Sequence, residues 1–133
     1  MLVRTIAGFM VMVGVAAAGC GGGSGDGITP RVACEEAQAN MCERLYACYT
    51  PTELAAIGFP SNEAACVTML QASQGCSQQT AQNTCTGNER YHADQANLCV
   101  EQITGLACSQ VRDPNLVLTV AAPACGKVCA VGG

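Results

Sequence analysis

The hydrophobic positions of this 133-residue chain fall into two regimes. Residues 6–15 form one apolar run, followed by the small residues Ala16, Ala17, Ala18 and Gly19 and then Cys20. From residue 34 onward apolar positions recur instead at three- and four-residue steps. Cys34, Ala37, Met41, Leu45 and Cys48 form one such stripe, with Glu35, Glu36, Glu43 and Arg44 off it. That spacing predicts a helix over 34–49 with the stripe toward a core. Thr50-Pro51-Thr52-Glu53 has the order of a helix start: Thr as cap, Pro at the first position and Glu at the third. Gly58 ends this short helix, and Phe59-Pro60 turns the chain. Ser61 is the expected cap of a helix over 61–74, with Glu63 favourable to the dipole in its first turn. Ala65, Cys66, Met69, Leu70 and Ser73 share its inner side, and Gly75 stops it.

Residues 77–83 are polar and without period. Helical spacing returns over 88–104, where Tyr91, Leu98, Cys99, Ile103 and Leu106 point toward the core and Gly105 ends the helix. Residues 116–120 admit two readings. Asp113-Pro114 can cap a short helix through Val120, whereas the β-branched residues favour an extended strand. The helix is preferred. Pro123 opens a last short helix, with Cys125 and Cys129 one turn apart on one face. The expected fold class is therefore all-α, a small bundle of short helices.

Composition shows what such a bundle lacks. There is no Trp, and beyond residue 19 there is one Phe, Phe59, with three Tyr. Large aromatic side chains usually supply much of the buried area. Eleven cysteines stand in their place.

The first 27 residues explain one of these. Arg4 gives a short positive region before the apolar run, and a small-residue stretch follows it. This order is that of a secretory signal peptide. The run is too short to span a bilayer, which needs ~20 residues. Ala17-Ala18-Gly19-Cys20 resembles the lipobox of bacterial lipoproteins, although Ala17 stands where Leu is commonest. The resemblance implies cleavage before Cys20, lipidation (palmitate among the acyl groups) on that residue and a membrane partner held through the lipid. Gly21 follows Cys20, where the family's sorting rule uses Asp for inner-membrane retention, so the implied location is the cell envelope at the outer membrane. Gly21-Gly22-Gly23-Ser24-Gly25-Asp26-Gly27 reads as a flexible tether. The organisation expected is a signal peptide at 1–19, the lipidated Cys20 and tether at 20–33, a Cys-rich helical domain at 34–129 and a tail at 130–133. With Arg4 removed, five basic residues face ten acidic ones, a net charge of −5. That balance argues against nucleic acid as a partner.

Ten cysteines remain: Cys34, Cys42, Cys48, Cys66, Cys76, Cys85, Cys99, Cys108, Cys125 and Cys129. An even count in an exported small domain reads as a disulfide framework. Five bridges allow about 945 connectivities, and sequence does not choose among them. A metal is not expected, because no Cys-x-x-Cys occurs and His92, the sole His, has no Cys at ligand spacing. Splitting the domain near residue 80 leaves five cysteines on each side, so complete pairing requires an odd number of bridges between the halves. Gln38-Ala39-Asn40-Met41-Cys42 also echoes Gln95-Ala96-Asn97-Leu98-Cys99. The surrounding spacings differ, so the sequence leaves both duplication and coincidence open.

No catalytic constellation emerges. Gly-x-Ser-x-Gly is absent, His92 beside Glu89 and Asp94 reads as a surface residue, and the Gly cluster is a tether and not a phosphate loop. Glu36 and Glu43 are two helical turns apart and read as solvated. The expectation is a non-enzymatic, cofactor-free module of the envelope or surface, with a structural or protein-binding role and an envelope protein as partner. The alternative is a small envelope enzyme or enzyme inhibitor. The features from lipobox to scattered Cys resemble small Cys-rich bacterial lipoproteins without an assigned function.

Overall fold

The computed structural model describes residues 27–131. The first helix, α1 (Pro30–Cys48), starts four residues before its expected first residue. Thr29 caps it, its Oγ1 accepting from the Val32 N–H at 3.4 Å. Pro30 fits the first turn because that turn has no use for its missing N–H. Residues 30–33 therefore belong to the helix and not to the tether. The expected stripe is inward: Leu45 and Cys48 are buried, and Ala37 and Met41 pack against the core.

The next helix, α2 (Pro51–Ala56), has the expected reciprocal cap. The Glu53 N–H donates to Thr50 Oγ1 at 3.3 Å, and the Thr50 N–H donates to Glu53 Oε2 at 2.7 Å. Gly58, at φ +85°, takes the left-handed turn that ends the element. This short helix delivers Leu54, 1% exposed, into the core. The third helix, α3 (Glu63–Ser73), is capped by Asn62 and not by Ser61. Asn62 has the extended backbone that a cap requires, and its Oδ1 accepts from the Ala65 N–H at 2.9 Å. Cys66, Val67 and Leu70 form its inner side, while Met69 is exposed.

The helix expected over 88–104 is corrected at its start. Glu89–Tyr91 forms a strand, β1, and α4 covers only Ala93–Thr104, with His92 as its cap residue. β1 pairs antiparallel with β2 (Cys129–Val131) in the register Glu89↔Val131, Arg90↔Ala130, Tyr91↔Cys129. The fold is thus mostly helical with a small two-stranded sheet, and not purely α. The cause is tertiary: β1 finds its partner strand some forty residues later, a pairing that local periodicity does not encode. Ala130 and Val131 are accordingly part of the sheet and not a free tail. Leu98, expected inside, is exposed on α4.

Two one-turn helices, α5 (Cys108–Val111) and α6 (Leu118–Ala121), follow α4. Within residues 116–120, Leu116 and Val117 are therefore irregular and 118–120 are helical. A 3₁₀ segment, Pro123–Lys127, carries Cys125, whereas Cys129 lies in β2, so the two do not share a helix face.

α1 is the central element, packing on α3 to one side and on α4 to the other. The core joins Cys42, Leu45, Leu54 and Cys66 of the first half to Ile103, Leu106, Val111 and Ala122 of the second. All ten cysteines are paired, and the pairing has the same order in both halves. Cys34–Cys76 encloses Cys42–Cys66, and Cys85–Cys129 encloses Cys99–Cys125. The third cysteine of each half joins its counterpart as Cys48–Cys108, the single bridge between halves. This satisfies the odd-number requirement. It also gives Cys42 and Cys99, the residues aligned by the sequence echo, equivalent places in the network.

Candidate functional site

The lipidation residue expected from sequence, Cys20, lies outside the described residues. The ten remaining cysteines each have a sulfur partner, so none of them is free as a nucleophile or metal ligand in this state. What the folded chain offers is a cleft of about 230 Å³ where α1 faces α4, roofed by the loop after α3.

Helix α1 contributes Gln38 to this cleft, one turn from Cys34 and next to Ala37. α4 contributes Val100, and the 3₁₀ segment and its successor contribute Cys125 and Val128. Gln79 comes from the polar stretch 77–83, with Gln74 just before it at the end of α3 and Thr84 just after it. They are brought to the cleft because Cys34–Cys76 ties the end of α3 to the start of α1. Gln79 Nε2 lies 3.4 Å from Cys34 Sγ and 3.5 Å from the Gln74 carbonyl oxygen.

Tyr91 is the titratable residue of the lining. Its hydroxyl donates to the Ile28 carbonyl at 2.8 Å, and partial burial pushes its pKa up to about 12. A phenol held neutral and already committed as a donor is a poor general acid or base at ordinary pH. The groups left facing the cleft are amides, a hydroxyl and small apolar surfaces. Such a lining can recognise neutral polar groups by hydrogen bonding, and carries no paired acid and base.

The same region holds the first described residues of the chain. Gly27 lies so close to α4 that a Cβ placed on it would come 2.3 Å from Ala93 Cβ. With the Tyr91–Ile28 hydrogen bond and the Thr29 cap, this pins the chain where it enters the domain, at the seam between halves.

His92 is not the surface residue expected. It is half-buried, its backbone N–H donates to the Val128 carbonyl at 2.8 Å, and its Nε2 is buried without a hydrogen-bond partner among the described residues. It does not line the cleft. Asp94, held below its ordinary pKa chiefly by a hydrogen bond from the Gln95 side chain, is exposed on α4.

Beside the single bridge, the Tyr91–Ile28 hydrogen bond and a contact of Arg44 with Cys108, three further polar ties cross between the halves. Asn40 Nδ2 donates to Thr104 Oγ1 at 2.8 Å and to the Val100 carbonyl at 3.3 Å. Tyr49 Oη donates to the Val111 carbonyl at 3.3 Å. Arg112 donates to the Cys48 carbonyl at 2.7 Å, meets both Glu53 oxygens at 3.0 Å and lies over the Tyr49 ring at 4.6 Å. Glu53 is lowered to a pKa of about 2, first by the Thr50 backbone N–H and then by Arg112. Sequence reading identified Glu53 as a cap and missed its second role, because Arg112 is distant in the chain. No protein-family model, curated protein or solved structure matches the chain.

Proposed function

We propose that this chain is a lipid-anchored envelope module with a non-catalytic, structural or protein-binding role. The observation that carries the reading is the order of the N-terminal segment: Arg4, the apolar run at 6–15, Ala18-Gly19-Cys20, and the Gly/Ser tether. Multiple acyl chains on Cys20 hold the protein to the membrane, since each buried methylene contributes ~0.8 kcal/mol. The even set of paired cysteines suits an oxidising compartment outside the cytoplasm.

The site geometry supports a binding role over a catalytic one. The cleft between α1 and α4 is lined by neutral amides, and its one titratable group is engaged with Ile28. His92 is not among the residues that line this cleft. In this reading the tether meets the domain beside Pro30 and Tyr91, two residues of the cleft lining.

Metabolic labelling with palmitate tests the anchor. The unsubstituted chain is expected to incorporate label and to fractionate with outer membranes, and Cys20→Ser to lose both. Equal labelling of the two chains would overturn the proposal.

A further inference from the structure

We propose that Cys108 is a thiol-exchange site: an incoming thiolate attacks Cys108 Sγ, and Cys48 departs as a thiolate stabilised by Arg44. Three features of the Cys48–Cys108 bridge set it apart from the other four.

The first is access. Of the ten cysteines, Cys108 alone is an exposed residue, while its partner Cys48 is 8% exposed. The side of the bridge that meets solvent is therefore the Cys108 side. By contrast, both cysteines of Cys42–Cys66 are 0% exposed.

The second is charge. Arg44 Nη2 lies 3.7 Å from Cys48 Sγ and 3.9 Å from Cys108 Sγ. Among the described residues Arg44 makes no ion pair, and its Nε is buried without a partner. An uncompensated guanidinium beside a sulfur favours its anionic form and lowers its pKa. A lower leaving-group pKa speeds exchange. Among the described residues no other bridge has a cationic donor on its sulfurs: the remaining contacts there are the neutral Gln79 amide and the Thr84 carbonyl.

The third is what survives the reaction. The other four bridges all lie within one half or the other, so each half keeps its covalent frame when this one opens. The halves stay together through α1–α4 packing and the ties of Asn40, Tyr49 and Arg112.

The chemistry balances as ordinary exchange. The attacking thiolate forms a new S–S bond to Cys108 Sγ, and the electron pair of the broken bond stays on Cys48 Sγ, beside Arg44. A second thiolate then attacks the mixed disulfide and releases Cys108 as a thiolate. Overall two thiols are oxidised to one disulfide, and the protein bridge is reduced by two electrons. The reactants are small thiols, or the dithiol of an envelope oxidoreductase.

The test uses the full chain with its bridges intact. Reduced glutathione is added in limiting amount, the reaction is quenched at intervals with N-ethylmaleimide, and peptides are mapped by mass spectrometry. Glutathione is expected on Cys108 and maleimide on Cys48 before any label reaches the other eight cysteines. Earlier opening of another bridge, simultaneous opening of all five, or glutathione on Cys48 would overturn the proposal. This order of opening is read in the unsubstituted chain and does not depend on any variant. Arg44→Gln is expected to slow the first step about three- to tenfold, with Arg44→Lys restoring most of it. Equal rates in all three chains would remove Arg44 from the mechanism.

Discussion

Removing the innermost bridge of the first half, as Cys42→Ala/Cys66→Ala, measures how far crosslinks replace an aromatic core. The bridge closes a sequence separation of 24 residues. In isolation such a loop corresponds to about 3.5 kcal/mol of restricted unfolded-state entropy. The bridge is not isolated, because Cys34–Cys76 encloses it with a separation of 42. The outer loop of 42 less the inner loop of 24 leaves a second path of 18 residues between the same two cysteines. Two paths in parallel act as one loop of about ten residues, which lowers the entropic contribution to about 2.7 kcal/mol. Both sulfurs are fully buried, and their loss adds about 1 kcal/mol each for vacated core volume. Alanine returns about 0.5 kcal/mol at each helical position. The expected net loss is about 4 kcal/mol, a large share of the 5–15 kcal/mol typical of a folded domain. Denaturant unfolding followed by far-UV circular dichroism, extrapolated linearly to water, gives the number directly. A loss below about 1 kcal/mol would show that Leu54, Ile103 and their neighbours sustain the fold without the bridge, and the reasoning would fail.

Two further outcomes follow from the tether seam and the Glu53 junction. Gly27→Ala places a methyl against Ala93 and is expected to destabilise the start of α1 by about 1–2 kcal/mol, visible as faster proteolysis between residue 27 and the domain. Proteolysis at the unsubstituted rate would refute that contact. Glu53 has its folded pKa depressed to about 2 from 4.5, so its contribution is complete above pH 4.5 and is lost as pH falls toward 2. A stability-against-pH profile of Glu53→Gln should therefore be flatter over that window than that of the unsubstituted chain, and parallel profiles would count against the assignment.

What the sequence disclosed about this fold was local. The stripe from Cys34 to Cys48, the Thr50–Glu53 cap and the stops at Gly58, Gly75 and Gly105 each depend on neighbours within a turn, and the structure has all of them. The parity of the cysteines was legible because it needs only counting. What escaped was set at a distance. β1 exists because β2 returns beside it, and Glu89–Tyr91 in isolation has the spacing of a helix start. Met69 and Leu98 read as inward by period, yet a domain with so little core leaves both outside. The cleft was hidden for the same reason, since Gln74, Gln79 and Thr84 reach it through the Cys34–Cys76 bridge, one pairing among about 945.

The nested pairing has a consequence for biogenesis. No native bridge joins two cysteines that are neighbours in the sequence: Cys48 intervenes between Cys42 and Cys66, Cys108 between Cys99 and Cys125, and several cysteines separate each other pair. A chain delivered N-terminus first through the proposed export route meets an oxidant as its cysteines emerge in order. An oxidase that joins successive thiols makes Cys34–Cys42 first, which is wrong, and every later consecutive pair is wrong as well. The native network is then reached only by reshuffling, a process of seconds to hours that isomerases accelerate. Yield of this protein in a host should therefore follow the supply of disulfide isomerase more closely than the supply of oxidase.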